Sequence, residues 1–368
     1  MRILVFNWQD REHPMSGGAE THLHEIFGRI ARMGHHVTLL SCNVPDAPSE
    51  TELDGIHVIR RGSRSTFNFT VPRWYRKNVA AMAPDVVVDD INKIPFFTPL
   101  FVRQPIVGII HHLFGKSIYK EAGVLAGQYV RTAEKRIPWV YRNTPISVVS
   151  ESTRQECIAS GLRAENLSII HNGIEPAAFP MRVGEKERTP TVIYFGRLKR
   201  YKSVDHIVRA IAIVRETVPK IMLRIVGRGD DEQTLRDLVS TLDLTNNVEF
   251  HGWVSGAEKI ALLSSSHVAV NPSVKEGWGI TNIEANACGT PVISADSPGL
   301  RDSVREGISG LLYPWGNIEM LARTLTRILQ NSEERNLLSQ GAVHWSNSFT
   351  WDESAKAMLD LCTKTAMK

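Results

Sequence analysis

Short apolar runs alternate with amphipathic segments along the first half of the chain. Residues 2–6 form an apolar run typical of a buried strand, and a polar loop that ends in Gly17 and Gly18 follows it. The next segment carries apolar residues at helical spacing as far as Gly34, and residues 36–41 are apolar again. This order of strand, glycine-containing loop, helix and strand predicts the opening of a doubly wound α/β domain, in which ligands bind beyond the carboxyl ends of the strands.

The alternation continues to about residue 170. It predicts further strands at residues 56–60, 85–88, 105–110, 145–150 and 167–170, and helices at residues 74–82, at residues 121–141 and up to residue 159. Residues 175–190 are rich in Pro, Glu, Arg and Gly and show no period, which predicts a linker between two domains.

A second alternation begins after the linker. It predicts strands at residues 191–195, 221–226, 248–251, 268–271, 291–294 and 310–313, with helices between them that include residues 203–217 and 281–287. A last helix is predicted from residue 349 through residue 361, long enough to return to the first domain. Because 368 residues are too many for one ordinary core, we expect two α/β domains with mainly parallel sheets, residues 1–182 with 349–368 and residues 190–348.

Composition narrows the class of protein. Hydrophobic residues make up 42% of the chain and charged residues 22%, which excludes disorder as the main state. The four cysteines are scattered without a C-x-x-C pair, so neither a zinc site nor a disulfide framework is predicted. The N-terminus has an apolar run of about four residues, far short of a signal peptide or a membrane span. We expect a cytoplasmic protein with reduced, buried thiols.

The net charge of +4 does not by itself indicate a nucleic-acid partner, but the distribution of charge is uneven. Residues 55–84 contain no acidic side chain and combine basic with aromatic residues: Arg60, Arg61, Arg64, Arg73, Arg76, Lys77, Phe67, Phe69, Trp74 and Tyr75. Such a mixture is found in peripheral contacts with an anionic membrane, here the inner face of the cell membrane. A solvated loop with a few buried aromatic residues is the alternative.

Residues 273–293, with the sequence SVKEGWGITNIEANACGTPVI, carry the most specific candidate chemistry. Gly277 and Gly279 come just before a predicted helix, and glycine lets the backbone approach a ligand closely. The first amides of that helix, at Ile280 and Thr281, have no acceptor within the helix and lie at the positive end of its dipole. The stretch therefore predicts a site for a phosphate or a diphosphate.

Two carboxylates flank this predicted anion site. Glu276 lies in the loop, and Glu284 lies one turn into the helix. Both carboxylates could accept hydrogen bonds from sugar hydroxyls. A capping box is the alternative, in which Thr281 caps the helix, Glu284 reaches back to the cap and Glu276 is a solvated loop residue. The stretch alone leaves both interpretations open.

Two cations follow the first strand of the second domain. Arg197 and Lys202 leave that strand at its carboxyl end, the sheet edge at which Glu276 and Glu284 are also expected. Paired cations at this edge can neutralise a diphosphate. A solvated basic loop is the alternative, and it is disfavoured because the glycine-rich anion site lies on the same edge.

The strands of the first domain also end in residues with possible chemistry. His111 and His112 follow a strand at the edge where such folds bind ligands. Asp89 and Asp90 are adjacent and lack the D-x-D spacing, so a metal site is not predicted. The loop before the first helix is not G-x-G-x-x-G, so a nicotinamide dinucleotide site is not predicted either.

Together these motifs resemble the retaining glycosyltransferases of family 4 (group 1), which have the GT-B fold of two facing Rossmann-like domains. The resemblance covers nearly the whole chain in the right order. Its matching elements are Gly17 and Gly18, the strand ending at His111, His171-Asn172-Gly173-Ile174, Gly196 and Arg197 with Lys202, the Glu276-x7-Glu284 element, and the helix that begins with Phe349-x-Trp351.

For the donor side, the resemblance implies a role for each matched position. Arg197 and Lys202 would bind the donor diphosphate and stabilise it as it leaves. Glu276 would hold hydroxyls of the donor sugar, and Glu284 would hold the ribose. The backbone of residues 279–281 would cap the phosphate.

The resemblance also implies contacts for three other elements. His111 would contact the sugar near its anomeric carbon, and Gly17 and Gly18 would close over the phosphate. Val254 falls where the base is usually held. The family usually has an aspartate or a small residue after the histidine, so His112 departs from the pattern.

The activity implied by the resemblance is transfer of a sugar, with retention of its anomeric configuration, from a UDP- or GDP-linked donor to a hydroxyl of a polysaccharide or lipid-linked acceptor. No Asp or Glu nucleophile is evident, so attack by the acceptor on the same face of the sugar is expected. Neither a metal nor a cofactor is expected, because Arg197, Lys202 and the helix dipole supply positive charge.

Three other functions remain as alternatives. A transferase could act on a soluble small-molecule acceptor, but the basic and aromatic residues of 55–84 favour a lipid-linked or polysaccharide acceptor. A GT-B sugar-nucleotide epimerase is disfavoured by the Glu-x7-Glu element. A catalytically silent sugar-nucleotide-binding subunit is disfavoured because every expected site residue is present.

Overall fold

The computed structural model describes residues 1–92, 94–120, 123–179 and 186–367. It divides into two compact units, which we call the first unit (Met1–Asn172 with Trp351–Lys368) and the second unit (Gly173–Thr350). This division lies before the predicted limits at residues 182 and 190, because Ile174 already pairs with Thr350 in the second unit. Residues 180–185 of the predicted linker lie outside the described residues.

The described strands of the first unit form one sheet in the order β3-β4-β2-β1-β5-β6-β7-β8, parallel except for the antiparallel pair of β3 with β4. They are β1 (Arg2–Phe6), β2 (His36–Ser41), β3 (Glu50–Leu53), β4 (Ile56–Arg60), β5 (Val86–Ile91), β6 (Ile106–Ile110), β7 (Ile146–Val148) and β8 (Leu167–Ile169). Apolar residues of these strands are almost fully buried, as expected for a sheet covered on both faces.

Helices of the first unit connect these strands. They are α1 (Gly18–Arg32), α2 (Phe67–Met82), α3 (Val124–Glu134), α4 (Ile137–Val140) and α5 (Glu151–Ser160). Helix α2 begins earlier than predicted, at Phe67, and it continues through Pro72.

The first unit differs from the sequence prediction in two further respects. Residues 124–140 form two helices and not one, since Pro138 lacks an amide hydrogen and favours the first turn of a new helix; residues 121 and 122 lie outside the described residues. Strand β3 was not expected, because its sequence Glu50-Thr51-Glu52-Leu53 is polar and it lies at the sheet edge, where only part of it is buried.

The second unit contains a parallel sheet in the order β11-β10-β9-β12-β13-β14 within its described residues. Its strands are β9 (Thr191–Phe195), β10 (Met222–Val226), β11 (Val248–Gly252), β12 (Val268–Asn271), β13 (Val292–Ala295) and β14 (Gly310–Tyr313). Its helices are α6 (Val204–Val214), α7 (Glu232–Thr241), α8 (Gly256–Ser265), α9 (Ile280–Ala287), α10 (Leu300–Ser303), α11 (Ile318–Gln330) and α12 (Ser332–Ser346). The observed strands lie within two residues of the predicted ones.

The last helix, α13 (Trp351–Ala366), belongs to the first unit, as the prediction of a returning helix required. It packs against α1, and Arg29 of α1 donates to Asp352 at 2.7 Å. The hydroxyl of Ser354 also donates to the backbone oxygen of His171 at 2.7 Å. The C-terminal segment is therefore part of the core of the first unit.

The basic and aromatic residues of 55–84 divide between the core and the surface. Arg60 is 1% exposed and forms ion pairs with Asp10 and Glu12, and Arg61 pairs with Glu50, so these two cations are neutralised within the fold. The exposed remainder consists of Arg64, Arg73, Arg76, Lys77 and Phe69, which we call the basic patch.

No helix in the described ranges is both long and apolar enough to cross a membrane. All four cysteines lie within the described residues and are buried, and none of them forms a disulfide.

Candidate active site

The start of α9 has the backbone geometry of an anion site. Gly279 caps the helix with φ of +78°, a left-handed conformation that suits glycine. A side chain there would also meet Leu300 and Ser303, each with an atom 2.8 Å from an added Cβ. The helix then begins at Ile280, and its first amides, including that of Thr281, have no acceptor within the helix.

The capping-box alternative for this helix is wrong. Gly279 is the cap residue, and Thr281 already lies inside the helix, where its hydroxyl accepts a hydrogen bond from the Asn271 amide at 3.2 Å. The carboxylate of Glu284 accepts from Lys259 at 2.7 Å. Glu284 is therefore available for a role other than capping.

A buried polar network fixes the beginning of α9 against the sheet. Asn282 is 2% exposed; its amide nitrogen donates to Ser303 at 2.9 Å, and its oxygen accepts from Asn271 at 3.1 Å. Asn271 ends β12, the strand that leads into the loop. Because buried polar groups that are hydrogen-bonded specify one arrangement, these residues hold the helix start in place. These residues were not predicted from the sequence, although an asparagine on the apolar side of a helix was a usable signal.

Lys202 and Glu276 form an ion pair, with side chains 16% and 17% exposed. Lys202 ends a short 3₁₀ turn after β9, and Glu276 lies in the loop after β12. Burial lowers the pKa of Lys202, but the charge of Glu276 outweighs this effect, so the pKa is raised and the lysine is charged at neutral pH. Since β9 and β12 are neighbours in the parallel sheet, their loops meet at the carboxyl edge.

Arg197 lies on the same edge but is exposed. Its guanidinium donates to the Tyr201 hydroxyl at 3.4 Å, and its backbone oxygen accepts from the Tyr194 hydroxyl at 3.0 Å. The structure thus brings Arg197 to the edge that carries Lys202 and Glu276, with fewer contacts holding its side chain.

Val254 follows β11 and is half-buried against the apolar cluster that includes Phe195 and Ile260. It belongs to the second unit together with Glu276 and Glu284. Its role in holding a base stays a prediction.

In the first unit, His111 follows β6 and is hydrogen-bonded to Asp90 of β5, with 3.0 Å between Nε2 and Oδ1. Burial alone lowers the pKa of His111, but the charge and hydrogen bond of Asp90, with the charge of Glu20, outweigh it and raise the pKa. Asp89 has a different partner set, the hydroxyls of Thr98 and Tyr141. Both aspartates lie inside β5 and not after it, because the strand runs to Ile91.

Polar side chains from separate parts of the chain lie around His111, and two of them, His22 and Glu20, were not singled out from the sequence. The ring of His22 lies edge-on to that of His111, 4.8 Å between centroids, and its Nδ1 is 2.7 Å from Asn172 Oδ1. Burial lowers the pKa of His22 to about 4. Glu20 Oε1, His22 Nε2 and Asp90 Oδ2 are buried without a hydrogen-bond partner among the described residues. No local pattern could reveal this cluster, because its members come from separate parts of the chain.

Gly17 and Gly18 lie at the start of α1. Gly17 has an extended backbone, and its amide donates to the Glu20 carboxylate at 2.7 Å. An added Cβ at Gly18 meets nothing within 4 Å. His112, the residue that departs from the family pattern, packs its ring against Phe114 with 4.3 Å between centroids.

Metal-ligating side chains do not converge in the part of the chain that the structure describes, where no three His, Cys, Asp or Glu residues form a possible ligand set. Groups with positive charge at the carboxyl edge of the second unit include Arg197, Lys202 and the first amides of α9.

Two family models match the chain. Residues 16–178 match the model described as Glycosyltransferase Family 4, and residues 178–345 match the model described as Glycosyl transferases group 1. An uncharacterized glycosyltransferase of Methanocaldococcus jannaschii is 25% identical over 98% of this chain and 97% of its own length.

Solved structures show the same fold. Sucrose-phosphate synthase from Thermosynechococcus elongatus has a TM-score of 0.84 at 22% identity, covering 99% of this chain and 98% of that one. HepE of Anabaena, solved in complex with UDP-glucose, has a TM-score of 0.76 at 16% identity, covering 99% of this chain and all of the other (100%).

Proposed function

Because the chain belongs to the group 1 glycosyltransferases of family 4 and has the GT-B fold, we propose that it transfers a sugar from a UDP- or GDP-linked donor to a hydroxyl of a polysaccharide or lipid-linked oligosaccharide. The observation that carries this proposal is the pair of Lys202 with Glu276 beside the glycine-capped start of α9. A cation, helix amides and a carboxylate at one sheet edge suit a diphosphate that carries a sugar. The UDP-glucose bound by HepE is a donor of this kind.

The proposed chemistry depends on where charge develops. As the bond from the anomeric carbon to the diphosphate stretches, the leaving oxygens gain negative charge, which Lys202, Arg197 and the first amides of α9 stabilise. Glu276 keeps Lys202 charged and in place, and it accepts hydrogen bonds from the sugar. The acceptor hydroxyl attacks the face from which the diphosphate leaves and gives its proton to the departing phosphate oxygen, so the anomeric configuration is retained. For His111 we propose contact with the donor sugar, in an orientation that Asp90 fixes.

The charge on the leaving group is met by protein cations, so the reaction as proposed needs no metal. Full activity in the presence of a chelator supports this part of the proposal. Loss of activity that Mg²⁺ or Mn²⁺ restores overturns it.

The basic patch favours an acceptor at a membrane surface. Its exposed cations can lie against anionic lipid headgroups. Phe69, whose side chain is 58% exposed, lies in the same patch. We therefore propose peripheral contact with the inner face of the membrane and a lipid-linked or polysaccharide acceptor. A soluble small-molecule acceptor is the alternative, and an epimerase is set aside because the chain belongs to a family of glycosyltransferases.

A panel of nucleotide sugars tests the donor proposal. The purified protein is incubated with UDP- and GDP-linked sugars without an acceptor, and slow release of the nucleoside diphosphate is measured. We expect release of the nucleoside diphosphate from at least one donor. For a retaining transferase, NMR should show that the first sugar product has the anomeric configuration of the donor. No release and no thermal stabilisation by any member would contradict the proposal.

A further inference from the structure

Both carboxylates of the Glu-x7-Glu element are held by lysines. Glu276 is paired with Lys202, for which the resemblance implies a role. Glu284 is paired with Lys259 of α8, for which neither the motif nor the resemblance implies any role. The second lysine therefore needs its own explanation.

Lys259 is fixed from several sides. Its ammonium donates to Glu284 Oε1 at 2.7 Å and lies 5.3 Å from the ring centroid of Phe195 and 5.8 Å from that of Phe179. The side chains of Lys259 and Glu284 are 20% and 15% exposed. An ammonium over aromatic faces is attracted to them, so the rings add to the ion pair.

The burial of this pair is weak evidence that the pair stabilises the fold. Taking two charges out of water costs much of what their attraction returns, and apolar residues of similar size often serve the fold as well. The surface pair of Asp205 and Arg209 in the same unit differs, with side chains 42% and 49% exposed and 3.8 Å between the charged atoms. The burial of Lys259 with Glu284 thus points to a role in ligand recognition.

The orientation of Glu284 supplies that role. The structure records a contact for Oε1 only, among the described residues, and a carboxylate has about four acceptor positions. The other oxygen can accept from the neighbouring hydroxyls of a ribose. A carboxylate held by a lysine loses less freedom when it binds these hydroxyls than one that turns freely.

We propose that Lys259 is a positioning residue that orients Glu284 toward the ribose hydroxyls of the donor, so that the enzyme distinguishes ribonucleotides from deoxyribonucleotides. This inference rests on the proposed function and on the role in holding the ribose that the resemblance implies for Glu284. It predicts that the pair of Lys259 with Glu284 increases the preference of the enzyme for ribose over deoxyribose, in addition to any increase in its affinity for nucleotides.

The test compares ribonucleotides with their deoxy analogues. Dissociation constants for UDP, 2′-deoxy-UDP, GDP and 2′-deoxy-GDP are measured by calorimetry for the wild type, Lys259→Met and Lys259→Arg. For the nucleotide with the preferred base, the wild type is expected to bind the ribose form about 10 to 100 times more tightly, the range for a lost hydrogen bond to a charged group. Lys259→Met should bring this ratio close to one, and Lys259→Arg should retain most of it.

Controls separate positioning from general damage. Arg209→Met removes the cation of the surface pair and should leave the ratio unchanged. Lys259→Gln, which keeps a donor for Glu284, replaces Lys259→Met in the test if Lys259→Met does not fold. Its preference for the ribose form over the deoxy form should then be weaker than that of the wild type but still greater than one.

The outcomes also separate this inference from the proposed function. If the wild type binds neither UDP nor GDP, both fall. If the wild type binds UDP or GDP but shows no preference for ribose, the role of Lys259 is overturned and the proposed function stands. The same conclusion follows if Lys259→Met, or Lys259→Gln in its place, keeps the wild-type ratio.

Discussion

Among single residues, the proposed site depends most on Lys202 and Glu276, which form an ion pair and whose charged groups are proposed to contact the donor. Lys202→Ala or Glu276→Ala is expected to lower turnover of the donor at least about a hundredfold, because each removes a group that stabilises charge in the transition state. Steady-state kinetics with the donor identified in the panel measures the effect.

Arg209→Ala is the matched control, since it removes a cation from an exposed ion pair of the same unit. It should keep wild-type turnover. Circular dichroism should show that all three variants are folded. Wild-type turnover in Lys202→Ala or Glu276→Ala would remove this site assignment.

His22 predicts a pH dependence of stability. Burial lowers its pKa from 6.5 to about 4, so the folded protein keeps His22 neutral where the unfolded chain already takes up a proton. The contribution is fully present above pH 6.5 and is lost as the pH falls towards 4, at a cost of about 3 kcal/mol in the free energy of unfolding.

His22→Gln removes this titration while keeping a group that can bond to Asn172. Between about pH 7 and about pH 4, the wild type should lose about 3 kcal/mol more stability than the variant, measured by urea unfolding. Parallel curves for the two proteins would show that His22 is not buried as a neutral side chain.

At the element scale, the loop that carries Glu276 packs against the start of α10. Gly299 caps that helix with φ of +78°, and an added Cβ would lie 2.7 Å from the backbone carbonyl carbon of Glu276. Gly299→Ala should therefore displace the Glu276 loop and weaken binding of the donor about tenfold or more, since small misplacements of binding groups are costly.

Gly307→Ala provides the control for backbone strain. Gly307 also has a positive φ, of +72°, but an added Cβ would meet nothing within 4 Å. Both variants should lose about 1 kcal/mol of stability or more from the positive φ, and Gly299→Ala should lose more because its Cβ also overlaps the Glu276 backbone. Only Gly299→Ala should lose donor affinity. Equal affinities in calorimetric titrations would contradict the packing argument.

The elements themselves were largely predictable, because buried parallel strands have continuous apolar sequences that a local window detects. Strand β1 was predicted with the observed bounds, Arg2–Phe6, whereas β3 was missed because an edge strand can be polar. The start of α9 was nearly correct, but the choice between anion site and capping box needed the conformation of Gly279. Pairings such as Lys259 with Glu284 join residues of different elements, and local periodicity contains no information about them.

At the scale of the whole molecule, the basic patch predicts binding to anionic membranes. Arg73, Arg76 and Lys77 are exposed on α2, which carries no acidic residue. Replacing all three by Glu should abolish sedimentation with vesicles that contain anionic lipid. High salt should release the wild type, because salt screens exposed charges.

A second triple variant has the same change in net charge: Lys220→Glu, Arg236→Glu and Arg323→Glu, at exposed positions of the second unit. It should still sediment with the vesicles. Equal loss of binding in both triple variants would mean that net charge and not the basic patch is responsible. No binding by the wild type at low salt would remove the membrane proposal.

The proposed function requires that the second unit bind the diphosphate of a nucleotide sugar at the start of α9, beside Lys202 and Glu276. The most direct measurement is calorimetric titration of the wild type and Lys202→Ala with UDP, UMP, GDP and GMP. We predict that the wild type binds one diphosphate at least about tenfold more tightly than its monophosphate, and that Lys202→Ala loses this difference. A wild type that binds mono- and diphosphates equally, or a Lys202→Ala variant that keeps the full preference, would contradict the account.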